Sequence, residues 1–295
     1  MKKTFFPEEF KEKYRELLGK DYEEFMKYSK KKIGKSIWVN SLKIKPTELQ
    51  EKLEGKARLV KLPFHENAFM IEEIDRPGSL EEFTQGLFNI QEKSAMLPAI
   101  ALKPEGCEKV LDLTAAPGSK TIQLATLMQG EGNILAIEKN VQRFRSLRFN
   151  ANKFGLENVE TVRTDALKLD KKDYFDAVLL DSPCSSEGLV RKKRDALKNW
   201  SHGLVKRKAK LQKKLIVRGF DALKKGKAMV YSTCSLSPEE NEEVVEHLLE
   251  KRKAVIEEVN IKGFKLRKGI RETGYRVMPQ DNDSQAFYFC KIKKE

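Results

Sequence analysis

The chain is poor in cysteine and histidine, with four and three among 295 residues. Cys107, Cys184, Cys234 and Cys290 stand 77, 50 and 56 residues apart, which excludes CxxC-type metal sites and a compact disulfide framework. The three histidines are well separated, so no metal site is expected. No stretch approaches the roughly 18 consecutive apolar residues of a membrane span. The opening Met-Lys-Lys-Thr has no apolar segment behind it, so a soluble, cytoplasmic protein without membrane contact is expected. Internal repeats and low-complexity linkers are also missing. What is abundant is positive charge: 58 Lys and Arg against 44 Asp and Glu give a net charge of +14, which points to a polyanionic partner. Apolar residues make up 40%, enough for a sizeable core.

The chain is organised around Val110-Leu-Asp-Leu-Thr-Ala-Ala-Pro-Gly-Ser-Lys-Thr121. Val110 to Leu113 reads as a short buried parallel strand, Pro117 and Gly118 force a tight turn, and Ser119 to Met128 starts a helix. Small residues at 115, 116 and 118 let backbone approach a ligand, beside the unpaired N–H groups of a new helix. Strand–turn–helix units of this kind bind nucleotides in doubly wound sheets. A ligand-free βα turn reads the same way locally. One glycine stands where a dinucleotide fingerprint needs three, and the P-loop spacing is absent, so a pyrophosphate is not the expected ligand.

Around this unit the chain divides near residue 82. Residues 1 to about 34 read as helical, with Phe10, Tyr14, Leu17 and Leu18 on one stripe and the cationic run from Lys27 to Lys35 closing the segment. Ser36 to Asn40 reads as a strand, and Lys45-Pro46 opens a helix. Leu59 to Leu62 and Ala68 to Glu72 could pair as further strands. Residues 1–82 thus form a small α+β module that would contact RNA. Its Trp38, Phe64 and Phe69 suit either RNA stacking or the module's own core. Asn89 to Leu102 reads as a lead-in helix with Pro98 as a kink or break. From 110 onward strands alternate with helices: strands at 110–113, 133–138, 159–163, 176–181 and 227–232, helices at 119–129, 140–154, 204–224 and 239–251, and late strands near 254–259 and 286–292. This alternation predicts an α/β fold over 83–295, a mostly parallel sheet with helices on both faces.

Polar residues fall at the ends of these strands. Glu138 is placed to take the two hydroxyls of a ribose, Asp165 an amino group such as that of adenine, and Asp181 lies on the same edge. Each alone reads equally as a cap or a solvated loop residue. Together with the first turn they describe a ligand with a ribose and an adenine but no phosphate, and S-adenosylmethionine fits. Adjacent strands would bring Cys184, after Pro183, and Cys234, in Tyr231-Ser-Thr-Cys-Ser235, to the mouth of the same crevice. A free cysteine is otherwise a small buried apolar residue. Ser237-Pro-Glu-Glu240 reads as a capping box opening the last helix, which would set Cys234 just before a helix N-terminus, a place that favours thiolate.

Leu111-Asp-Leu-Thr-Ala-Ala-Pro-Gly-Ser-Lys-Thr121, Asp181-Ser-Pro-Cys184 and Ser232-Thr-Cys-Ser-Leu-Ser-Pro-Glu-Glu-Asn241 together resemble the Sun/Nop family of RNA cytosine-5 methyltransferases. Gly86-Leu-Phe-Asn-Ile-Gln-Glu-Lys-Ser-Ala-Met-Leu-Pro98 looks like the family's lead-in helix. The resemblance covers about 86–292, with Lys35 to Leu53 as part of an RNA-binding module. Thr114 departs from it, since many members carry cysteine there; backbone contact at that position would make the change tolerable. The resemblance implies a class I, Rossmann-like methyltransferase fold in which Thr114, Ala115, Ala116, Pro117, Gly118, Ser119 and Lys120 surround the methionine part of S-adenosylmethionine. It implies Glu138 at the ribose, Asp165 at the adenine, Arg143 as a further cofactor contact, and Asp181 between methyl donor and base edge. Cys234 would be the nucleophile and Cys184 would assist release. The chemistry is coherent: a thiolate added at carbon 6 of cytosine makes carbon 5 enamine-like, and Asp181, protonated or sharing a proton with N3, would stabilise the attacked ring. Amino methylation would need no cysteine and typically shows Pro-Pro-aromatic where this chain has Pro183-Cys184.

Between Arg191 and Lys214 the chain carries eleven Lys or Arg against Asp195 alone. A solvated charge run looks the same, but so many like charges repel unless a polyanion neutralises them. Arg191, Lys192, Lys193, Arg194, Lys206 and Arg207, with Lys31 and Lys32, are the expected phosphate contacts. Reversing charge at Arg191, Lys192 and Lys193 should lower the salt dependence of RNA binding by about 0.7–0.9 for each phosphate no longer neutralised. The stretch from Leu204 onward reads as a helix with Leu204, Lys208, Leu211, Leu215 and Val217 on one side. The compact chain resembles the short tRNA-modifying members, while Asp195-Ala-Leu-Lys-Asn-Trp-Ser201 resembles small-subunit rRNA members. tRNA is the first expectation and rRNA the second; an RNA-binding assembly factor without turnover is a third, which the paired cysteines oppose. A monomer is expected.

Overall fold

A computed structural model describes residues 6–295; the first five, where the opening helix was expected to begin, lie outside the described residues. The helical stretch is broken once, into α1 (Glu8–Leu18) and α2 (Tyr22–Ser29), by a 3-10 turn at Gly19–Asp21. Then come β1 (Lys35–Val39), α3 (Pro46–Lys52), β2 (Arg58–Lys61), β3 (Ala68–Glu72), α4 (Glu81–Thr84) and β4 (Phe88–Ile90). The four strands form an antiparallel sheet in the order β2-β3-β1-β4. Alternation along β1 sends Ile37 and Val39 to a core with Leu49, Leu53, Phe69 and Phe88, and Trp38 to the opposite face.

Two expectations change here, and one open alternative is decided. The division at residue 82 falls inside this unit, because β4 pairs with β1 (Ile37 opposite Ile90) and closes the small sheet. The helix read from Asn89 begins only at Lys93, in α5 (Lys93–Leu102), where Glu92 accepts from Ser94 N at 2.9 Å; Pro98 lies inside α5 without ending it. The aromatics Trp38 and Phe69 are core, 0% and 1% exposed, and Trp38 Nε1 donates to Thr126 Oγ1 at 2.8 Å, so they cannot stack on RNA. Phe64 packs edge-on against Phe264.

The larger domain follows as β5 (Lys109–Asp112), α6 (Ser119–Leu127), β6 (Asn133–Ile137), α7 (Val141–Phe154), β7 (Val159–Val162), β8 (Phe175–Asp181), α8 (His202–Ala222), β9 (Leu223–Thr233), α9 (Glu242–Lys251), β10 (Ala254–Glu257), β11 (Arg267–Lys268), β12 (Tyr275–Val277), α10 (Pro279–Asn282) and β13 (Phe287–Lys294). The sheet runs β11-β12-β13-β9-β8-β5-β6-β7, with β10 also on β13. β7, β6, β5, β8 and β9 are parallel, and the late strands are antiparallel. Five of the seven residues of β8 from Phe175 onward are apolar and buried, as a central strand covered on both faces must be. α5 and α6 cover one face with Ala151 and Phe154 of α7; α8 and α9 cover the other. The strand order reverses between β5 and β8, which places a ligand crevice at their carboxyl ends. This Rossmann-like arrangement is the expected fold class. β11 and β12 were not legible: two and three residues are too short to show alternation.

α1 and α2 do not join the core of the small sheet. Phe10, Tyr14, Tyr22, Phe25 and Met26 pack with Val190, Leu197, Trp200, Leu236 and Met278, against the loops after β8 and β9. No helix among the described residues is long and apolar enough to cross a membrane.

Candidate active site

β5 ends in Asp112, and the chain turns through a cis Ala116–Pro117 peptide into α6. Gly118 caps α6 at φ +111°, a conformation that disfavours side chains, and a Cβ there would meet Leu147 Cδ1 at 3.2 Å. Ala115 N donates to Ile137 O at 2.9 Å, tying the turn to β6. Thr114 does more than offer backbone: its hydroxyl donates to Asp181 O at 2.9 Å and ties β5 to β8. Asp112 is buried; Oδ2 accepts from Thr121 Oγ1 at 2.7 Å while Oδ1 has no partner. Burial pushes its carboxyl up to about 7.

Two adjoining cavities of ≈450 and ≈340 Å³ share Thr114, Arg143, Pro183 and Lys208 and form one crevice along the carboxyl ends of the strands. The first holds Asp112, Ala115, Ala116, Pro117, Ser119, Lys120, Asp181, Cys184 and Cys234; the second holds Glu138, Thr164 and Asp165. Glu138 is buried, accepts from Asn140 N at 2.8 Å and pairs with Arg143 at 3.1 Å. Arg143 also donates to Ala116 O. Asp165 accepts from Leu167 N at 3.0 Å. Asp181 Oδ2 pairs with Lys120 Nζ at 2.7 Å, and Oδ1 accepts from Ser232 Oγ at 2.9 Å. The set fits the inferred nucleoside. Asp112 Oδ1 and Ser182 Oγ are buried without partners and border the first cavity. The carboxylates suit hydroxyl and amino groups, and Lys120, already paired, leaves nothing built for a pyrophosphate. The expected cofactor positions are thus brought together, with Gly118 acting through its backbone conformation.

The two thiols meet. Cys184 Sγ lies 2.9 Å from Cys234 Sγ, both free and half-buried. The hydrogen bond to Cys234, and then burial, push the Cys184 thiol well above its ordinary range. β8 and β9 run side by side with Asp181 opposite Ser232, so the loops that follow emerge together.

Those loops are joined by a buried carboxylate that sequence reasoning missed. Glu187 Oε2 accepts from Tyr14 Oη, Ser235 Oγ at 2.8 Å, Leu236 N at 2.9 Å and Ser237 N at 3.0 Å. Its Oε1 accepts from Trp200 Nε1 at 2.5 Å and Ser237 Oγ at 2.7 Å. Burial alone would raise this carboxyl; the donors, Tyr14 and Trp200 foremost, outweigh it and hold it below the ordinary range. Gly188 N donates to Cys234 O at 2.8 Å and completes the junction. The capping box expected at Ser237 and Glu240 is not made, because both side chains serve this cluster: Ser237 caps nothing, a 3-10 turn covers Pro238–Glu240, and α9 starts at Glu242. Glu240 instead accepts from Ser185 N and Gln212 Nε2, each at 2.9 Å, and lies 3.0 Å from Ser235 Oγ. The Ser235 hydroxyl has one proton and contacts both Glu187 and Glu240. That proton is shared between the two carboxylates, and burial pushes the Glu240 carboxyl up to about 7.

The basic residues separate. Lys192 and Lys208 border the crevice, and Lys193, Lys206 and Arg207 are exposed. Arg194 is half-buried. Arg191 is a correction: its side chain is 1% exposed and its donors go to Ser284 O at 2.8 Å, Asp283 at 2.6 Å, and Lys32 O at 3.2 Å. A guanidinium so occupied holds loops together and does not meet phosphate. Lys31, over the Tyr28 ring at 3.8 Å, and Lys32 are exposed beside it. The buried stripe of α8 is Val205, Ala209, Gln212, Leu215 and Ile216, which leaves Leu204 and Leu211 on its flank.

Residues 99–293 match the family model described as 16S rRNA methyltransferase RsmB/F, and residues 6–93 match the N-terminal domain of 16S rRNA methyltransferase RsmF. The chain is 39% identical to the tRNA (cytosine(49)-C(5))-methyltransferase of Pyrococcus abyssi, over 98% of this chain and 99% of that protein. It is also 39% identical to the ribosomal RNA small subunit methyltransferase F of Vibrio campbellii, over 99% of this chain but only 64% of that relative's length. Among solved structures, a methyltransferase homolog from Pyrococcus horikoshii superposes with a TM-score of 0.83 at 31% identity, over 98% of this chain and 96% of that one. NSun6 from Pyrococcus horikoshii, at 23% identity, shares the fold with a TM-score of 0.89 over 99% of both chains.

Proposed function

The chain belongs to the RsmB/F family of S-adenosylmethionine-dependent RNA cytosine-5 methyltransferases, and we propose that it methylates tRNA, with Cys234 as nucleophile and Cys184 as its proton-holding partner. The observation that supports a two-thiol mechanism is the 2.9 Å contact between the two sulfurs at the ends of adjacent strands; the division of labour between them follows the family resemblance. A protonated Cys184 donating to Cys234 stabilises thiolate on Cys234, the form that attacks. S-adenosylmethionine supplies an electrophilic methyl group; Thr114 to Lys120, Glu138, Arg143 and Asp165 hold it. The Cys234 Sγ–C6 bond makes carbon 5 of the base nucleophilic. Product release then needs loss of the carbon-5 proton to solvent water, with the C5–C6 double bond reforming and the electron pair of the Sγ–C6 bond returning to Cys234. The Cys184 S–H stabilises the departing thiolate. Asp181, held as an acceptor by Lys120 and Ser232, suits the exocyclic amino group of cytosine rather than a proton donation to N3.

tRNA is the first reading because the chain is 39% identical to an archaeal tRNA (cytosine(49)-C(5))-methyltransferase. The family descriptions favour 16S rRNA as the second reading. Lys192, Lys193, Lys206, Arg207, Lys31 and Lys32 are the proposed phosphate contacts, with Arg194 beside them. Labelled methyl transfer to unmodified tRNA and to 16S rRNA in parallel, with the nucleoside identified, separates the readings. 5-Methylcytidine in tRNA is the expected result, and in rRNA alone it would replace the substrate assignment. Cys234→Ala should abolish transfer, and Cys184→Ala should leave RNA covalently attached on a denaturing gel. Free RNA with the Cys184 variant would refute the assigned roles.

A further inference from the structure

Outside the crevice, α7 presents a face that the catalytic chemistry does not use. Val141, Arg145, Arg148 and Phe149 line a groove of ≈490 Å³ with Phe144 and Arg163, the last just beyond edge strand β7. These positions follow helical spacing and lie opposite the buried stripe Leu147, Ala151 and Phe154. Phe149 is 67% exposed, more than any other large apolar side chain among the described residues, and Val141 at 42% is the next. A phenylalanine left in water forgoes most of the stabilisation its burial would bring. The arginines beside it are equally uncommitted: among the described residues, Arg145, Arg148 and Arg163 make no side-chain hydrogen bond or ion pair, whereas Arg143, on the same helix, is tied to Glu138 and Ala116. α7 carries Arg143, Arg145, Arg148 and Lys153 and no acid.

An open aromatic ring framed by unpaired guanidinium groups matches what an unpaired nucleotide needs: a π-face for its base and donors for the phosphates on either side. We propose that this groove is a second RNA-contact site, in which Phe149 stacks on an unpaired base away from the target cytosine while Arg145, Arg148 and Arg163 hold its flanking phosphates. The proposal rests on the reading of the substrate as RNA and extends it. α8, with Lys206 and Arg207, covers the opposite face of the sheet, so RNA entering the crevice would be held from both sides. An apolar protein partner would also cover Phe149, but three uncompensated arginines around one ring disfavour it and suit a polyanion.

The test uses the full chain with Phe149→Ala, Phe149→Leu, Phe149→Trp and the pair Arg145→Glu/Arg148→Glu, on unmodified tRNA and 16S rRNA transcripts. Binding is measured over a salt series, beside methyl-transfer rates and calorimetric binding of S-adenosylmethionine. Phe149→Ala and Phe149→Leu should each weaken RNA binding roughly tenfold while Phe149→Trp preserves it, since stacking needs a ring. The arginine pair should lower the salt slope by about 0.7 for each phosphate it no longer neutralises. Affinity for S-adenosylmethionine and kcat at saturating RNA should stay at wild-type values. Unchanged RNA affinity and salt slope in the alanine and charge-reversed variants would overturn the proposal, as would a leucine variant that binds like wild type. Self-association lost only with Phe149→Ala, at unchanged RNA affinity, would assign the face to protein instead. If the wild type binds both transcripts but methylates neither, the substrate reading fails while the groove is still decided by affinity.

Discussion

Replacing Glu187 by glutamine changes one oxygen to an amide and removes a charge, in a place where six donors converge on the carboxylate. With the amide nitrogen at the Oε1 position, the Ser237 hydroxyl can turn to accept, but the Trp200 N–H cannot and is left facing another donor. With the nitrogen at the Oε2 position, the Leu236 N–H is orphaned and the Ser237 N–H keeps only Ser235 Oγ. Either way at least one buried donor loses its partner, and the surviving bonds lose their charge assistance. Breaking a buried charged network of this kind costs on the order of 3–5 kcal/mol. At roughly 2–4 °C per kcal/mol for a chain of this size, the melting temperature should fall by about ten degrees. The same carboxylate fixes where Cys234 stands relative to Cys184, and a misplacement of about 1 Å near a reacting centre costs about a hundredfold in rate. Glu187→Gln should therefore lose both stability and most of kcat, assayed well below its own melting point. Tyr14→Phe removes one donor of six, should cost about 1–2 kcal/mol and should retain measurable turnover. A Glu187→Gln protein that melts and turns over like wild type would refute the reasoning that this residue clasps the two thiol loops.

The raised carboxyl of Glu240 makes stability pH-dependent. Folding raises its pKa from the ordinary 4.5 to about 7, so its penalty is absent below about pH 4.5, grows as pH rises to about 7, and is constant above. The shift corresponds to about 3 kcal/mol. Glu240→Gln, whose amide can donate to Ser235 while its oxygen still accepts from Ser185 and Gln212, should match wild type near pH 5 and exceed it near pH 8 in denaturant titrations. A constant difference across that range would remove Glu240 as the titrating group. Gly188→Ala would set a Cβ 2.0 Å from Ala286 O and 3.0 Å from Cys234 O, both backbone. Its expected effect is a loss of more than about 2 kcal/mol together with methyl transfer, and an active, stable variant would show that the loops yield freely. Arg191→Ala should lower stability by about 2 kcal/mol, because it leaves the Ser284 and Lys32 carbonyls without their donor, and leave the salt slope of RNA binding alone. Lys192→Glu should do the reverse, and equal salt slopes for Lys192→Glu and wild type would take Lys192 out of the phosphate contacts.

The parallel strands and the crevice were legible from residue order because their signals are local. An apolar run ending in Asp112, followed by Pro117-Gly118 and a periodic helix, can form little else, and a carboxylate at the end of a parallel strand faces the same edge as its neighbours. That sufficed to gather Glu138, Asp165 and Asp181 along one crevice. It also placed Cys184 near Cys234, since adjacent strands β8 and β9 end together. What tertiary structure decided concerns residues whose local chemistry is shared with bland alternatives. Arg191 and Lys192 are adjacent and both basic, yet one is sealed against Ser284 and Asp283 and the other faces the crevice. Ser237 and Glu240 have capping-box spacing, but the buried carboxylate of Glu187 competes for the Ser237 hydroxyl and the Ser237 N–H, and wins both. Glu187 itself opens a short 3-10 helix, Glu187–Arg191, with no periodic pattern around it, and its partner Tyr14 comes from a helix 173 residues away. Periodicity and turn chemistry reach only a few residues along the chain. Which donor meets a buried acceptor depends on which distant segments the packed core brings together.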